Sequence, residues 1–159
     1  ADNYGITANL YSMGIQAADF YRESITREEF VCLIAKAFEI EGSGNYSFAD
    51  VTKDKWYYDY VSVCCEKGII NGLSETEFGT GKNITRQDAA VIVSRILKLS
   101  ELGSNKFADD VEISDYAKSA VYSLRDKGII SGDTDNNFNP KANLTRAECA
   151  VIVQRAVKH

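Results

Sequence analysis

The sequence predicts a mainly α-helical protein built from three repeated helix-loop-helix units. The first observation is a tripeptide, Ile/Leu-Thr-Arg, that begins at Ile25, Ile84 and Leu144, with spacings of 59 (25 to 84) and 60 (84 to 144) residues. The second is that each copy opens a run of apolar residues long enough for a helix. A fixed period of this kind indicates one supersecondary unit that is repeated, so a site built on one unit should recur.

Other segments recur with nearly the same offset and set the bounds of the repeats. Residues 48–50 (Phe-Ala-Asp) return at 107–109, and residues 67–70 (Lys-Gly-Ile-Ile) return at 127–130. In the first unit, residues 12–15 match this turn at an offset of 54 instead of 59, which predicts a loop shortened by five residues. We therefore predict a first repeat at 1–42 that is incomplete at its N-terminal end, a second at 43–102 and a third at 103–159.

The first helix of a unit is predicted from the second repeat. Apolar side chains within residues 56–64 follow the 3-4 spacing of one helical face. Gly68 stands where a helix ends in a left-handed residue. We expect a helix over about residues 55–67, with Thr52 or Asp54 as its N-cap.

The second helix of each unit is predicted to begin at the repeated Thr. An acidic residue follows three positions later, which is the capping-box pattern that satisfies exposed N–H groups at a helix start. The three pairs are Thr26 with Glu29, Thr85 with Asp88, and Thr145 with Glu148.

We expect these second helices to span residues 27–40, 86–99 and 146–158. They are apolar almost all round, which is typical of a helix enclosed by other helices. The predicted fold class is therefore mainly α, with three lobes around a central bundle of the second helices.

The Arg of the tripeptide occupies the first helical position in all three copies. A cation at the positive end of the helix dipole is unfavourable by a few tenths to about one kcal/mol, so its repetition needs a reason. One interpretation is structural, in which each Arg bonds a carboxylate or loop carbonyls of an adjacent lobe. The other is functional, because a guanidinium beside a helix N-terminus suits the carboxylate or phosphate of a ligand. The two interpretations are compatible.

Composition argues against several kinds of partner. A net charge of -5 and a pI near 4.9 disfavour nucleic acid, because binding to phosphates normally needs a basic face. No window approaches 18 uninterrupted apolar residues, so we predict no membrane span. The N-terminus lacks the charged and apolar regions of a signal peptide, and the chain could be an excised part of a larger protein.

Signatures of metal sites, cofactors and catalysis are absent from the sequence. Cys64 and Cys65 are adjacent, no Cys-x-x-Cys occurs, and the only histidine is His159, so we predict four free thiols, no metal site and no cofactor. The acidic loop at 133–139 lacks the Gly and the Glu that a calcium-binding loop requires at its sixth and twelfth positions. Without an internal histidine, a Gly-x-Ser-x-Gly motif or a phosphate-binding glycine loop, we predict that the chain is not an enzyme.

Taken together, these segments resemble the surface-layer homology (SLH) repeat. The resemblance is carried by the Phe-x-Asp-Val leader, the Lys-Gly-Ile-Ile-x-Gly turn and Ile-Thr-Arg-x-Glu, and its most specific stretch is 128–148. It implies a triplet of repeats with a three-lobed helical fold whose inter-repeat grooves bind secondary cell-wall polysaccharide, often with a pyruvate ketal. Such a module tethers an exported protein noncovalently to the bacterial cell wall or S-layer, so the resemblance also implies a larger exported parent.

The resemblance implies ligand-binding roles for nine residues. They are the motif arginines Arg27, Arg86 and Arg146, the leader aspartates Asp50 and Asp109, the loop glycines Gly72 and Gly132, and the aromatic residues Trp56 and Tyr116. The arginines would hold an acidic sugar group, and Trp56 is the main sugar-stacking candidate, with a core anchor as its alternative role. If grooves form between successive lobes, Arg27 would face Trp56 and Arg86 would face Tyr116. Ala18 stands in the first unit where Gly72 stands in the second, so we expect one groove to differ.

Two alternative functions stay open. A protein-interaction or self-assembly scaffold would expose an apolar patch away from the arginines. A further variant within the family that the chain resembles binds modified peptidoglycan directly, and the sequence does not separate this from polysaccharide binding.

Overall fold

The computed structural model describes residues 17–101 and 103–159. The match predicted at residues 12–15 lies outside the described residues.

Within these ranges the protein is mainly helical, as predicted. The helices are α1 (Ala17–Arg22), α2 (Arg27–Ala37), α3 (Tyr58–Glu66), α4 (Arg86–Ile96), α5 (Asp115–Asp126) and α6 (Arg146–Val157), with a short 3-10 helix at Asp110–Glu112. No β-strand occurs in the described ranges, where extended segments meet only at isolated bridges.

The second helices α2, α4 and α6 begin at the predicted residues because the preceding Thr is the N-cap in each case. The hydroxyls of Thr26, Thr85 and Thr145 accept a bond from the N–H of the third following residue. The reciprocal bond that completes a capping box is present at Thr26, whose N–H donates to the Glu29 carboxylate. The predicted helix starts are therefore confirmed.

Helices α2 and α4 end three residues earlier than predicted. Glu39 and Lys98 have left-handed backbones, with φ of 52° and 54°. After Glu39, the Ile40 N–H bonds back to the Ala35 carbonyl at 2.8 Å, which is the Schellman arrangement that closes a helix. A left-handed residue that is not glycine gives little sequence signal, so the apolar pattern placed these helix ends too late.

Helix α3 also begins three residues later than predicted, and neither Thr52 nor Asp54 caps it. Its N-cap is Tyr57, which makes no side-chain capping bond. The Thr52 hydroxyl donates to the Asp54 carboxylate, and the Lys55 N–H closes a turn onto the Thr52 carbonyl at 3.0 Å. The two candidate caps therefore satisfy each other within a turn that precedes the helix.

Backbone hydrogen bonds join the three tripeptides into a closed ring. The Ile25 N–H donates to Leu144 at 3.0 Å, the Leu144 N–H donates to Ile84 at 2.9 Å, and the Ile84 N–H donates to Ile25 at 3.1 Å. All three side chains are fully buried. The ring places the N-termini of α2, α4 and α6 beside one another, so the arginine at the start of each helix lies at a junction between units.

Contacts between helices also connect successive units. Helix α2 packs on α3, and α4 packs on α5, so the second helix of one unit contacts the first helix of the next. Helix α6 contacts α1 and α2. Three lobes around a bundle of all three second helices stay a prediction, since α4 packs chiefly on α5.

The expectation that the second helices are enclosed all round is wrong for α6. Its buried residues are Cys149, Ile152, Val153 and Ala156, which form one face. Val151 is 42% exposed on another face. Alanine and valine residues made α6 look apolar in sequence, yet only one stripe of the helix packs in the described core.

Candidate functional site

The leader aspartates fasten the loop that precedes each second helix. The Asp50 carboxylate accepts bonds of 2.8 Å from the N–H groups of Phe78, Gly79 and Thr80, and Asp109 accepts two equivalent bonds of 2.8 Å. Partial burial disfavours the Asp50 anion, but the backbone bonds from Thr80, Phe78 and Gly79 outweigh it and hold the pKa of Asp50 below its usual value. Both aspartates therefore position a loop, and neither lines the grooves defined below.

The fastened loop directs backbone carbonyls at the first motif arginine. Arg27 Nε donates to the Phe78 carbonyl at 3.0 Å, and its Nη2 donates to the Asn71 carbonyl at 3.2 Å. The guanidinium carbon lies 5.1 Å from the centroid of the Phe78 ring, within cation–π distance. Arg27 is only 7% exposed. The buried guanidinium is therefore held by backbone carbonyls and an aromatic ring inside the protein.

Arg86 repeats this arrangement in the next unit. Its Nε donates to the Phe138 carbonyl at 2.8 Å, and its guanidinium carbon lies 5.1 Å from the centroid of that ring. Burial lowers the pKa of Arg86, although the Asp109 anion partly opposes this shift. The second motif arginine thus repeats the Nε–carbonyl bond and the ring contact of the first but not, among the described residues, its bond to the Asn71 carbonyl.

Arg146 lies in a different environment. Its guanidinium carbon is 4.7 Å from the centroid of the Phe20 ring, but its Nε is buried and has no hydrogen-bond partner among the described residues. Phe20 belongs to α1, where its carbonyl accepts the Glu23 N–H at 3.1 Å. A helix replaces the loop of the other units here, and the Phe20 carbonyl accepts the Glu23 N–H instead of a bond from Arg146. The expected difference of one site is present at this junction.

Each motif arginine also reaches the capping acid of a neighbouring unit. The ion pairs are Arg27 with Asp88 at 3.6 Å, Arg86 with Glu148, and Arg146 with Glu29. These three ion pairs form a second ring, which connects the same three helix N-termini as the ring of backbone hydrogen bonds. The structural interpretation of the arginines is therefore confirmed, because the carboxylate at the third position of one helix offsets the cation at the first position of another.

Two open depressions lie at these junctions, and the larger is the Arg27 groove, with a volume of about 390 Å³. Its lining includes Arg27, Gly72, Leu73, Asp88, Arg95 and Tyr116. These residues come from all three predicted repeats. The groove therefore brings together two cations, a carboxylate and an aromatic ring that are far apart in sequence.

The smaller depression, the Arg86 groove, has a volume of about 270 Å³. Its lining includes Arg86, Ile129, Ser131, Glu148, Val151 and Arg155. Arg155 is the counterpart of Arg95 at an offset of 60 (95 to 155). Among the described residues of this lining none is aromatic, so the groove shares the charges of the Arg27 groove without a ring like Tyr116.

The two aromatic candidates are exposed, and Tyr116 lies beside a different arginine from the predicted one. Trp56 and Tyr116 are each 64% exposed, so the alternative interpretation of Trp56 as a core anchor is wrong. Tyr116 lies in the Arg27 groove, where its hydroxyl donates to the Asp88 carboxylate at 2.6 Å. The structure thus groups Tyr116 with Arg27 and not with Arg86. The reason is that Tyr116 lies on α5, which packs on α4 and reaches the junction at the start of that helix.

The Tyr116 hydroxyl is a hydrogen-bond donor in the Arg27 groove. Desolvation and the bond to Asp88 together raise the pKa of Tyr116 to about 12. The hydroxyl therefore stays protonated at neutral pH and can donate to Asp88.

The loop glycines are required by close packing. A Cβ at Gly72 would lie 2.5 Å from two carbonyl oxygens and from the Phe48 ring, and a Cβ at Gly132 would lie 3.1 Å from the Phe107 ring. In the first unit, the corresponding Ala18 belongs to helix α1. The glycines thus allow a tight loop that the first unit does not form.

Three residues of these junctions were missed from the sequence. Arg95 and Arg155 are exposed and line the two grooves, and Phe20 supplies the ring under Arg146. The recurrence of a basic residue at 36, 95 and 155 was the available signal for the two arginines. Phe20 gave no such signal, because the shortened first unit breaks the alignment.

Three further features of the described residues concern metal binding, membrane spans and cysteine pairing. In residues 17–101 and 103–159, no three His, Cys, Asp or Glu side chains form a group that could hold a metal ion. No helix in that part of the chain has the length and apolarity needed to cross a bilayer. The four cysteines are free thiols, as predicted.

Comparison with known proteins identifies two of the three predicted repeats. The S-layer homology domain family matches residues 47–90 and 106–150, which is more than half of the chain. The chain therefore belongs to the S-layer homology domain family.

The relatives include both surface-layer proteins and enzymes. The surface-layer 125 kDa protein of Lysinibacillus sphaericus is 36% identical over 86% of this chain and 12% of its own length. Exoglucanase XynX of Acetivibrio thermocellus is 34% identical over 82% of this chain and 13% of its own length. The S-layer protein sap of Bacillus anthracis is 26% identical over 87% of this chain and 17% of its own length.

The chain thus spans less than a fifth of the length of these relatives. What they share with it is a small module, not a whole protein. Family membership and the S-layer relatives make this chain a cell-wall anchoring module of the bacterial cell surface, cell wall or S-layer.

Proposed function

We propose that residues 1–42, 43–102 and 103–159 form a triplet of SLH repeats that binds an acidic secondary cell-wall polysaccharide in its inter-repeat grooves. The observation that supports this best is the Arg27 groove, an open volume of about 390 Å³ lined by Arg27, Arg95 and the exposed ring of Tyr116. Cations suit an acidic group such as a pyruvate ketal, and an exposed aromatic face suits the apolar side of a sugar ring.

Within this proposal the nine predicted residues have different roles. Arg27 and Arg86 form the cationic floor of the two grooves, and Tyr116 is the stacking ring. Asp50 and Asp109 act indirectly, because they fasten the loops whose carbonyls hold these arginines. Gly72 and Gly132 let the same loops pack closely.

A third site is proposed at the Arg146 junction. Tyr116 contacts Asp88, and the corresponding residues one unit earlier are Trp56 (56 to 116) and Glu29 (29 to 88). Since Arg146 pairs with Glu29, the repeat symmetry assigns Trp56 to this junction. The site should bind more weakly than the Arg27 groove, because a helix replaces the carbonyl-bearing loop.

We propose that the module itself is not catalytic and binds no nucleic acid. A net charge of -5 opposes the binding of a polyanion over the whole protein surface. An acidic group of the ligand would therefore bind only at the cations of the grooves. The enzymes among the relatives share only a small part of their length with it. The module would therefore anchor a larger exported protein whose activity lies in another part of the chain.

The test is cosedimentation of the protein with purified cell walls of its source bacterium. Native walls are compared with walls from which the secondary polysaccharide has been extracted, and an unrelated acidic protein serves as the control. Pelleting with native walls alone is the expected result. Pelleting with both preparations would identify peptidoglycan as the ligand, and pelleting with neither would overturn wall binding in favour of a protein-interaction scaffold.

A further inference from the structure

We infer that Arg95 and Arg155 make the main charged contact with the acidic group of the ligand, one in each groove. The inference rests on the proposed function and deepens it, because it assigns the specificity for an anion to residues outside the Ile/Leu-Thr-Arg motif.

The guanidinium groups of the motif arginines Arg27 and Arg86 already make contacts within the protein. Arg27 donates to two backbone carbonyls, pairs with Asp88 and is only 7% exposed. Arg86 donates to the Phe138 carbonyl and pairs with Glu148. A cation that is already paired with a carboxylate offers little net charge to a second anion, and a ligand would have to compete with that carboxylate.

Arg95, in contrast, is exposed and is held by few contacts within the described residues. It lines the Arg27 groove. Its one hydrogen bond among the described residues runs from Nη1 to the Ile69 carbonyl at 3.4 Å, which is long for a strong bond. No carboxylate of the described residues pairs with it. Its guanidinium is therefore free to turn toward a ligand and to bind a carboxylate with two parallel bonds.

Arg155 occupies the same place in the Arg86 groove. It is exposed and, like Arg95, it has no carboxylate partner in the described part of the chain. In the first unit the position holds Lys36, whose Nζ lies 5.5 Å from the centroid of the Tyr60 ring. A lysine held on a ring is a poorer partner for a planar carboxylate than a free arginine.

A structural explanation for these arginines must be separated from the functional one. Both lie in the last turn of their helices, where a cation is favourable to the helix dipole. That effect would show in the stability of the protein, whereas a ligand contact would show in binding. The test therefore measures both quantities on the same variants.

The variant is the double substitution Arg95→Gln with Arg155→Gln. The matched control is Lys67→Gln with Lys127→Gln, since this pair is exposed, recurs at the same offset of 60 (67 to 127), and lies outside both grooves. Both double variants change the net charge equally. Affinity for native walls is measured by cosedimentation at fixed salt, and stability is measured by urea unfolding.

We expect the arginine double variant to bind native walls at least about tenfold more weakly, as the loss of one charged hydrogen-bonded contact per groove implies. Its urea midpoint should stay near that of the control. Binding equal to wild type, or an equal loss in the lysine control, would overturn the inference while leaving the proposed function intact. If the wild-type protein fails to pellet with native walls, the proposed function fails first and the inference falls with it.

Discussion

Arg27 and Asp88 form an ion pair of 3.6 Å although they stand at the starts of two different helices. Arg27 is the first residue of α2, where the helix dipole disfavours a cation, and Asp88 is in the first turn of α4, where the dipole favours an anion. Pairing them across the junction offsets the unfavourable term at Arg27. The same ion pair also joins the first turn of α2 to the first turn of α4.

Arg27→Ala should destabilise the protein more than Arg146→Ala. Removing Arg27 leaves the Phe78 carbonyl without its donor and Asp88 without its ion-pair partner, so we expect a loss of about 3 kcal/mol in the free energy of unfolding. Arg146 has no partner for its Nε among the described residues, and its loss should cost about 1–2 kcal/mol. Urea unfolding followed by circular dichroism measures both. Equal losses would contradict the difference between the two junctions.

Asp50→Asn should loosen the loop before α4. An amide has only one acceptor oxygen, so it cannot keep all three N–H bonds from Phe78, Gly79 and Thr80, and we expect a loss of about 2 kcal/mol at neutral pH. Asp135→Asn is the control, because Asp135 is exposed and its carboxylate accepts no hydrogen bond from the residues that the structure describes. A loss in the control as large as in Asp50→Asn would contradict the role of Asp50.

The effect of Asp50 should also depend on pH. Its pKa is lowered in the folded protein, so its contribution is present above the unfolded pKa of about 3.9 and is lost as the pH falls through the folded pKa. The difference in unfolding free energy between wild type and Asp50→Asn should therefore shrink as the pH drops below about 4. A difference that stays constant down to that range would show that the carboxylate charge is not what holds the loop.

The parts of this fold that could be predicted from the sequence are those with a local cause. Thr26, Thr85 and Thr145 were recognised as helix starts because a cap and its acid lie within one turn. The grooves could not be placed, because Tyr116 meets Arg27 only after the helices of successive units have packed. The prediction that Tyr116 pairs with Arg86 is therefore wrong by one junction.

Gly72→Ala should cost more stability than Gly68→Ala. A Cβ at Gly72 would lie 2.5 Å from two carbonyl oxygens, which do not move without the backbone, so we expect a loss of about 3 kcal/mol or more. At Gly68, with φ of 71°, nothing lies within 4 Å of a Cβ, so the cost is the left-handed strain of about 1–2 kcal/mol. Thermal and urea unfolding compare the two variants. A smaller loss for Gly72→Ala would show that this loop can rearrange.

A thiol reagent should modify Cys65 first in the native protein. Cys32, Cys64 and Cys149 are buried, and burial raises the pKa of Cys64 to about 11 and of the other two to about 12. Cys65 is half-buried, and burial raises its pKa as well, so the reaction should be slow but selective. Mass spectrometry after alkylation at pH 8 should show one modified thiol, and after unfolding in urea it should show four. Cys65→Ser should abolish the native reaction, and several rapidly modified thiols would contradict the burial.

Trp56 should report on the third proposed site. It is the single tryptophan of the chain and is 64% exposed, so its fluorescence in the free protein comes from a ring in contact with water. If the ring stacks on a sugar beside Arg146, released wall polysaccharide should shift the emission to shorter wavelength and protect the ring from a soluble quencher. Arg146→Ala should weaken the shift, whereas Arg95→Gln should leave it unchanged because Arg95 belongs to another groove. An unshifted emission from protein that is bound to polysaccharide would restrict binding to the Arg27 and Arg86 grooves.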